Sequence, residues 1–204
     1  MTAFRVVAFG LVGLVIGSFL SVVAHRVPRG ESIVRPRSRC PSCGVQLRAV
    51  DNLPVVSYLL LRGRCRACGT RISPTYPLLE LATAGLFVAA AAVFDRLYVA
   101  IVMAAFLAVL LALSLIDARH RILPNRIVYP SLPAFAVLVA LGALLGEGLD
   151  LRGAAVGFLG YGGGLLIVAL ISPRGMGMGD VKLAALIGLV VGSLGAERVL
   201  VAAG

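Results

Sequence analysis

Two kinds of residue in this chain could do chemistry, and both are scarce. Asp117 lies in "SLIDARHRILPN" and Asp180 in "GMGMGDVK", each on the border of an apolar stretch in a chain with only 9 Asp and Glu. Two carboxylates that meet can share a proton across a wide pH range: the ionised one takes a proton from water while the protonated one polarises a carbonyl. The second set is the four cysteines, all within "CPSCG" at 40–44 and "CRACG" at 65–69. Two Cys-x-x-Cys pairs can aim four thiolates at one tetrahedral metal.

The elements that must carry these groups are membrane helices. Of 204 residues 60% are hydrophobic and 14% charged, with a mean hydropathy of +1.01, whereas a soluble domain holds about 25% charged residues. Apolar segments at 4–24, 78–94, 97–116, 127–146 and 153–172 approach or reach the roughly 20 residues of a transmembrane helix, and a sixth at 183–195 is short. The fold class is therefore an all-α polytopic membrane protein with at least six transmembrane helices and a small cytoplasmic zinc-ribbon-like loop. "VLVAAG" at 199–204 begins like a further span, so the natural polypeptide is expected to continue past it. The first segment ends in "SVVAHRVPRG" rather than a small-residue cleavage site, which favours a retained helix over a signal peptide.

Charge orients the bundle. The connections at 25–77, 117–126 and 173–182 hold 10, 3 and 2 of the 19 Lys and Arg, and the opposite side holds Arg5, Arg96, Arg152 and Arg198. By the positive-inside rule the three basic connections are cytoplasmic and the N-terminus is outside. Topology accounts for the basic excess, and with no Trp to help build a stacking surface, nucleic acid is a poor partner. Glycines four apart at 13/17, 153/157, 160/164 and 188/192 are expected at helix contacts, where small residues let backbones approach.

The cytoplasmic loop holds its cysteine pairs 21 residues apart, one beyond the usual zinc-ribbon spacing. Cys40, Cys43, Cys65 and Cys68 are expected to bind a structural zinc, since four thiolates leave no open position. Reduced thiols or two disulfides are the alternatives, the second disfavoured on a reducing side. Crossing parity brings Asp117 and Asp180, 63 positions apart, to the same cytoplasmic border, where they could meet. Gly175, Gly177 and Gly179 remove bulk just ahead of Asp180. The competing reading is that each aspartate merely caps or snorkels at a helix end. Arg119, His120, Arg121 and Lys182 are expected to set topology or hold the ionised carboxylates. Glu80, three residues into the second span, is either a substrate or cofactor contact or a border residue in water.

Taken together, "GSFLSVVAHRVP" at 17–28, the two cysteine motifs, "YPLLELATAGLF" at 76–87, "DARHRILPN" at 117–125 and "GMGDVKLAALIG" at 177–188 resemble the type IV prepilin peptidases, the GxGD class of intramembrane aspartic proteases. The resemblance spans most of the chain in the family's order. It implies that Asp117 and Asp180 are the catalytic dyad, supported by Gly177, Gly179 and Lys182, and that the four cysteines bind zinc. It implies cleavage of the basic leader from prepilins and pseudopilins at the bacterial inner membrane, then methylation of the new N-terminus from S-adenosylmethionine; the basic leader would meet Glu80 or Asp51. Ser21 stands where the family leads one to expect asparagine, and Gly85 lies one place later than expected, both in the half associated with methyl transfer. The implied organisation is a first helix at 1–25, a four-cysteine zinc loop at 26–77 and a protease core at 78–204. Two other readings are a noncatalytic zinc-binding membrane scaffold that docks a cytoplasmic partner, and a proton-carrying transporter. A zinc metalloprotease is excluded by the lack of a His-Glu-x-x-His helix.

Overall fold

The computed structural model describes residues 3–172 and 177–195. Apolar runs become helices because lipid offers no partner for backbone N–H and C=O groups, which must then be satisfied within the segment. In order these are α1 (Ala3–Arg26), the short loop helix α2 (Val56–Leu60), α3 (Thr75–Val93), α4 (Leu97–His120), α5 (Asn125–Leu144), α6 (Leu151–Gly157), α7 (Gly163–Ile171) and α8 (Met178–Gly192). A π-turn at Phe158–Gly162 joins α6 and α7 into one span, Leu151–Ile171. Among the described residues five helices are long and apolar enough to cross a membrane. The sixth, α8, has 15 residues, about 22 Å at 1.5 Å per residue. It starts at Met178 rather than at 183, so Asp180 lies within its first turn.

Polar contacts show that the bundle has two ends. At one, Arg5 of α1 donates to the carbonyls of Phe94 and Asp95 beyond α3, Arg96 donates to the Gly146 carbonyl, and the Asp150 N–H donates to the Ser193 carbonyl at 2.8 Å. Asp150 also caps α6, accepting the N–H groups of Arg152 and Gly153, both at 2.9 Å. At the other end lie the cysteine loop, the last turns of α1 and α4 and the first turns of α3, α5 and α8: Arg126 donates to the Gly30 carbonyl at 3.1 Å and Lys182 to Asn125 Oδ1 at 3.1 Å. α4 sits at the centre, with Ala100, Phe106, Leu113 and Ile116 fully enclosed. Phe106 meets Phe135 of α5 edge to face, centroids 5.7 Å apart.

The expected glycine contacts divide. A Cβ on Gly13 would lie 2.7 Å from the Ala84 Cα, and one on Gly17 2.6 Å from the Glu80 Cα, so α1 packs on the backbone of α3. Gly157 and Gly188 face each other so closely that a Cβ on either would reach the other's carbonyl oxygen at 2.0–2.1 Å, and Gly192 stands the same way against Gly153. Gly160 and Gly164 do not follow the expectation: nothing lies within 4 Å of a Cβ at either. The π-turn is the physical reason, because it shifts helix phase after Gly157 and brings Gly162 onto Ala185 instead. Val199–Gly204 and Gly175 lie outside the described residues.

Gly188→Ala should therefore force α6 and α8 apart and cost about 1–3 kcal/mol. Gly160→Ala, in open space, should stay within about 1 kcal/mol of the parent. Thermal unfolding of the two variants in detergent checks the contrast, and equal melting temperatures would contradict it.

Candidate active site

The cysteine loop is built as a repeat. "RCPSCGVQ" at 39–46 and "RCRACGTR" at 64–71 fold alike. In the first, the Cys40 N–H donates to the Val45 carbonyl and the Gly44 N–H to the Cys40 carbonyl, both at 2.9 Å. In the second, Cys65 and Gly69 make the same bonds, to Thr70 and Cys65, at 2.8 and 2.9 Å. Single antiparallel bridges, Arg39 with Gln46 and Arg64 with Arg71, close each turn. Each requires a residue at positive φ after its second cysteine, and Gly44 (φ +72°) and Gly69 (φ +70°) supply it at no steric cost.

The two knuckles bring their sulfurs together. All four Sγ atoms lie within 4.8 Å of one another, and Cys40 Sγ is 3.9 Å from Cys68 Sγ. A tetrahedron with Zn–S of about 2.3 Å has sulfur–sulfur edges of about 3.8 Å. The donor set thus fits a tetrahedral thiolate-bound metal. The Thr70 hydroxyl and N–H draw the Cys68 thiol down to about 6, and the N–H groups of Cys43 and Ser42 lower Cys40. At Cys43 the Val45 N–H favours the thiolate but is outweighed by burial and the neighbouring thiols, which push it up to about 11. Four sulfurs this close carry full charge only when a cation shares it.

Two acids that sequence left open are placed by the loop. Glu80 is 7% exposed, so it is not a border residue in water; its Oε2 accepts the Val55 N–H at 2.8 Å. Val55 needs such a partner. With φ +59° and ψ −48°, and Val56 N–H donating to the Pro54 carbonyl at 2.5 Å, it is the centre of a γ-turn of the rare positive-φ kind, strained for a β-branched residue. Asp51 is already engaged: Arg66 lies 2.8 Å away and, with help from Arg48, holds its carboxyl below the usual carboxylate range. Neither partner is legible in the sequence, because each pairing spans 15 or more positions within an irregular loop.

Asp117 occupies the last turn of α4. Its carbonyl accepts the Arg121 N–H at 2.7 Å, and Arg121 turns left-handed (φ +53°) to end the helix. The chain then runs through Leu123 into α5, and α8 begins against that connection: a Cβ on Gly179 would meet Leu123 Cβ at 3.1 Å. Asp117, in the last turn of α4, and Asp180, in the first turn of α8, therefore lie at the same end of the bundle. Both are exposed. Among the described residues neither carboxylate accepts a hydrogen bond or has a Lys, Arg or His nitrogen within 4.0 Å. Gly177 has a specific use, since Asp180 Oδ2 folds back to within 3.3 Å of where its Cβ would stand. Lys182, expected to set topology or hold a carboxylate, instead donates to Asn125 and lies 4.4 Å from the Tyr129 ring centroid. It ties α8 to α5.

A cavity of about 90 Å³ opens between α1, α3 and α4, lined among others by Ser21, His25, Tyr76 and Arg119.

Residues 11–94 match the Bacterial Peptidase A24 N-terminal domain and residues 104–203 the Type IV leader peptidase family. A relative from Bacillus subtilis, "Prepilin leader peptidase/N-methyltransferase", is 39% identical over 183 residues, covering 88% of this chain and 71% of its own. Proteins of the same name from Myxococcus xanthus (44% over 156 residues, 74% of this chain and 45% of its own) and Pseudomonas aeruginosa (37% over 202 residues, 87% and 70%) are also similar. No solved structure matches. With a relative this similar aligned over most of both chains, and with both parts of the family's sequence matched in order, the chain belongs to the type IV leader peptidase family.

Proposed function

We propose that the chain is an intramembrane aspartic endopeptidase that removes the basic leader of prepilins and pseudopilins at the cytoplasmic border of a bacterial inner membrane. The observation that carries this reading is that the last turn of α4 and the first turn of α8 lie at the same end of the bundle, each with an exposed carboxylate that is unpaired among the described residues. A carboxylate in the first turn of a helix is favoured by the unpaired N–H groups there, and one in the last turn is not.

In the reaction, the ionised member of the pair Asp117 and Asp180 takes a proton from a water held between the two groups as the water oxygen bonds to the scissile carbonyl carbon. The protonated member donates its hydrogen to the carbonyl oxygen. Collapse of the tetrahedral adduct breaks the C–N bond, the amine leaves with a proton from the dyad, and the leader departs as a carboxylic acid. The substrate's apolar helix stays in lipid while its leader reaches the loop end.

Cys40, Cys43, Cys65 and Cys68 hold a structural zinc in this reading, which fixes the loop over the bundle and takes no part in the bond changes. Methylation of the new N-terminus, the second activity in the relatives' name, uses S-adenosylmethionine as methyl donor, and no residue of this chain is assigned to it.

Asp117→Asn and Asp180→Asn should each lower leader removal by about a thousandfold or more, with unchanged membrane yield. Mass spectrometry of a co-expressed prepilin checks this; full processing by either variant would favour the noncatalytic scaffold. The purified chain should carry one equivalent of zinc. Cys40→Ser with Cys65→Ser should lose it and lower the melting temperature; less than half an equivalent in the parent would contradict the assignment.

A further inference from the structure

The cysteine loop has a face that neither hydrolysis nor metal binding uses. Helix α2 turns its Tyr58 inward, where the hydroxyl donates to the Ile72 carbonyl at 3.4 Å. Outward it presents Val56, Leu59 and Leu60, exposed by 51%, 66% and 78%, with Leu53 exposed just before it. Arg62 and Arg64 follow, both exposed and without an ion-pair partner among the described residues. The surrounding segment 25–77 holds 10 Arg against two acids, Glu31 and Asp51, and Asp51 is taken by Arg66.

The depth of this face follows from Glu80. Helix α3 has 19 residues, about 28 Å, close to the roughly 30 Å of a bilayer's hydrocarbon core. Glu80 is the sixth residue of α3, about 7.5 Å along its axis. The bond from the Val55 N–H to Glu80 therefore pulls the start of α2 down beside the first turns of a membrane helix. A headgroup layer is only about 5–7 Å deep on each side. By that measure Glu80 lies about 7 Å inside the hydrocarbon edge, so a five-residue helix that starts beside it lies at the acyl boundary, with the headgroup layer above it.

We propose that the outer face of α2 inserts into the headgroup region of an anionic lipid surface, with Leu59 and Leu60 in the acyl boundary and Arg62 and Arg64 on lipid phosphates. Apolar side chains flanked by arginine suit that boundary: burial of the leucines and attraction to anionic lipid act together. The surface is independent of the proteolytic reading and stands whether or not the aspartates are a dyad.

The chain has no tryptophan, so Leu60→Trp in the full chain gives a single reporter. In nanodiscs of phosphatidylcholine and phosphatidylglycerol its emission should fall about twofold when brominated acyl chains replace ordinary ones, and aqueous iodide should have little effect. Leu59→Trp serves as a second reporter should the first fail to fold. Arg62→Glu with Arg64→Glu in the Leu60→Trp background should weaken the bromolipid quenching in anionic nanodiscs and not in pure phosphatidylcholine. Strong iodide quenching with no bromolipid effect at both positions would overturn the proposal and leave the face to a protein partner. Quenching unaffected by the charge reversal would overturn its anionic part.

Discussion

The depth of Asp180 rests on the backbone contact between α6 and α8. Helices in lipid gain nothing from the hydrophobic effect when they associate, so they are held by dispersion and polar contact, and both need close approach. Gly157 against Gly188 and Gly153 against Gly192 supply that approach along the helix. The Asp150–Ser193 bond pins one end of the pair, and Gly179 on Leu123 pins the other. With both ends fixed, α8 has one register, and the short helix places its acid at the bundle end where α4 ends. A shift of one residue along α8 would turn the carboxylate by about 100° around the axis.

The loop end is organised by the same economy of polar contacts. One buried carboxylate, Glu80, reaches out of α3 to hold a strained turn, and the two cysteine knuckles hold the rest by a repeated set of backbone bonds. The N-terminal half thus forms a rigid rim on α1 and α3, joined to the core through α4. Arg126 on the Gly30 carbonyl crosses from the core back to that rim. The arrangement keeps the border around Asp117 open while the loop stands beside it.

Local rules read some of this directly from sequence and miss the rest for definable reasons. Composition and period give the spans, because lipid leaves helix as the only answer. The repeated Cys-x-x-Cys-Gly gives the cysteine cluster, because positive φ after the second cysteine demands glycine. Glycine spacing gave Gly13 and Gly17 but misassigned Gly160 and Gly164, since a π-turn changes helix phase without marking the sequence. Glu80 stood out by position, yet its partner lies 25 residues away in a turn whose conformation valine does not advertise. Lys182, expected to set topology or hold a carboxylate, reaches Asn125 and Tyr129, a contact that depends on α5 packing against α8. Crossing parity put the two aspartates at one end of the bundle, and the contact of Gly179 with Leu123 that brings α8 to the α4–α5 connection required the fold.

Hydrolysis requires Asp117 and Asp180 to work across one small gap. That gap can be measured by replacing both with cysteine and treating native membranes with a short bifunctional thiol reagent, the product being read by peptide mass spectrometry so that the loop cysteines are distinguished. A 117–180 crosslink should be the main product, suppressed when a prepilin substrate occupies the site. Full single-site labelling of both cysteines with no bridge between them would contradict the dyad.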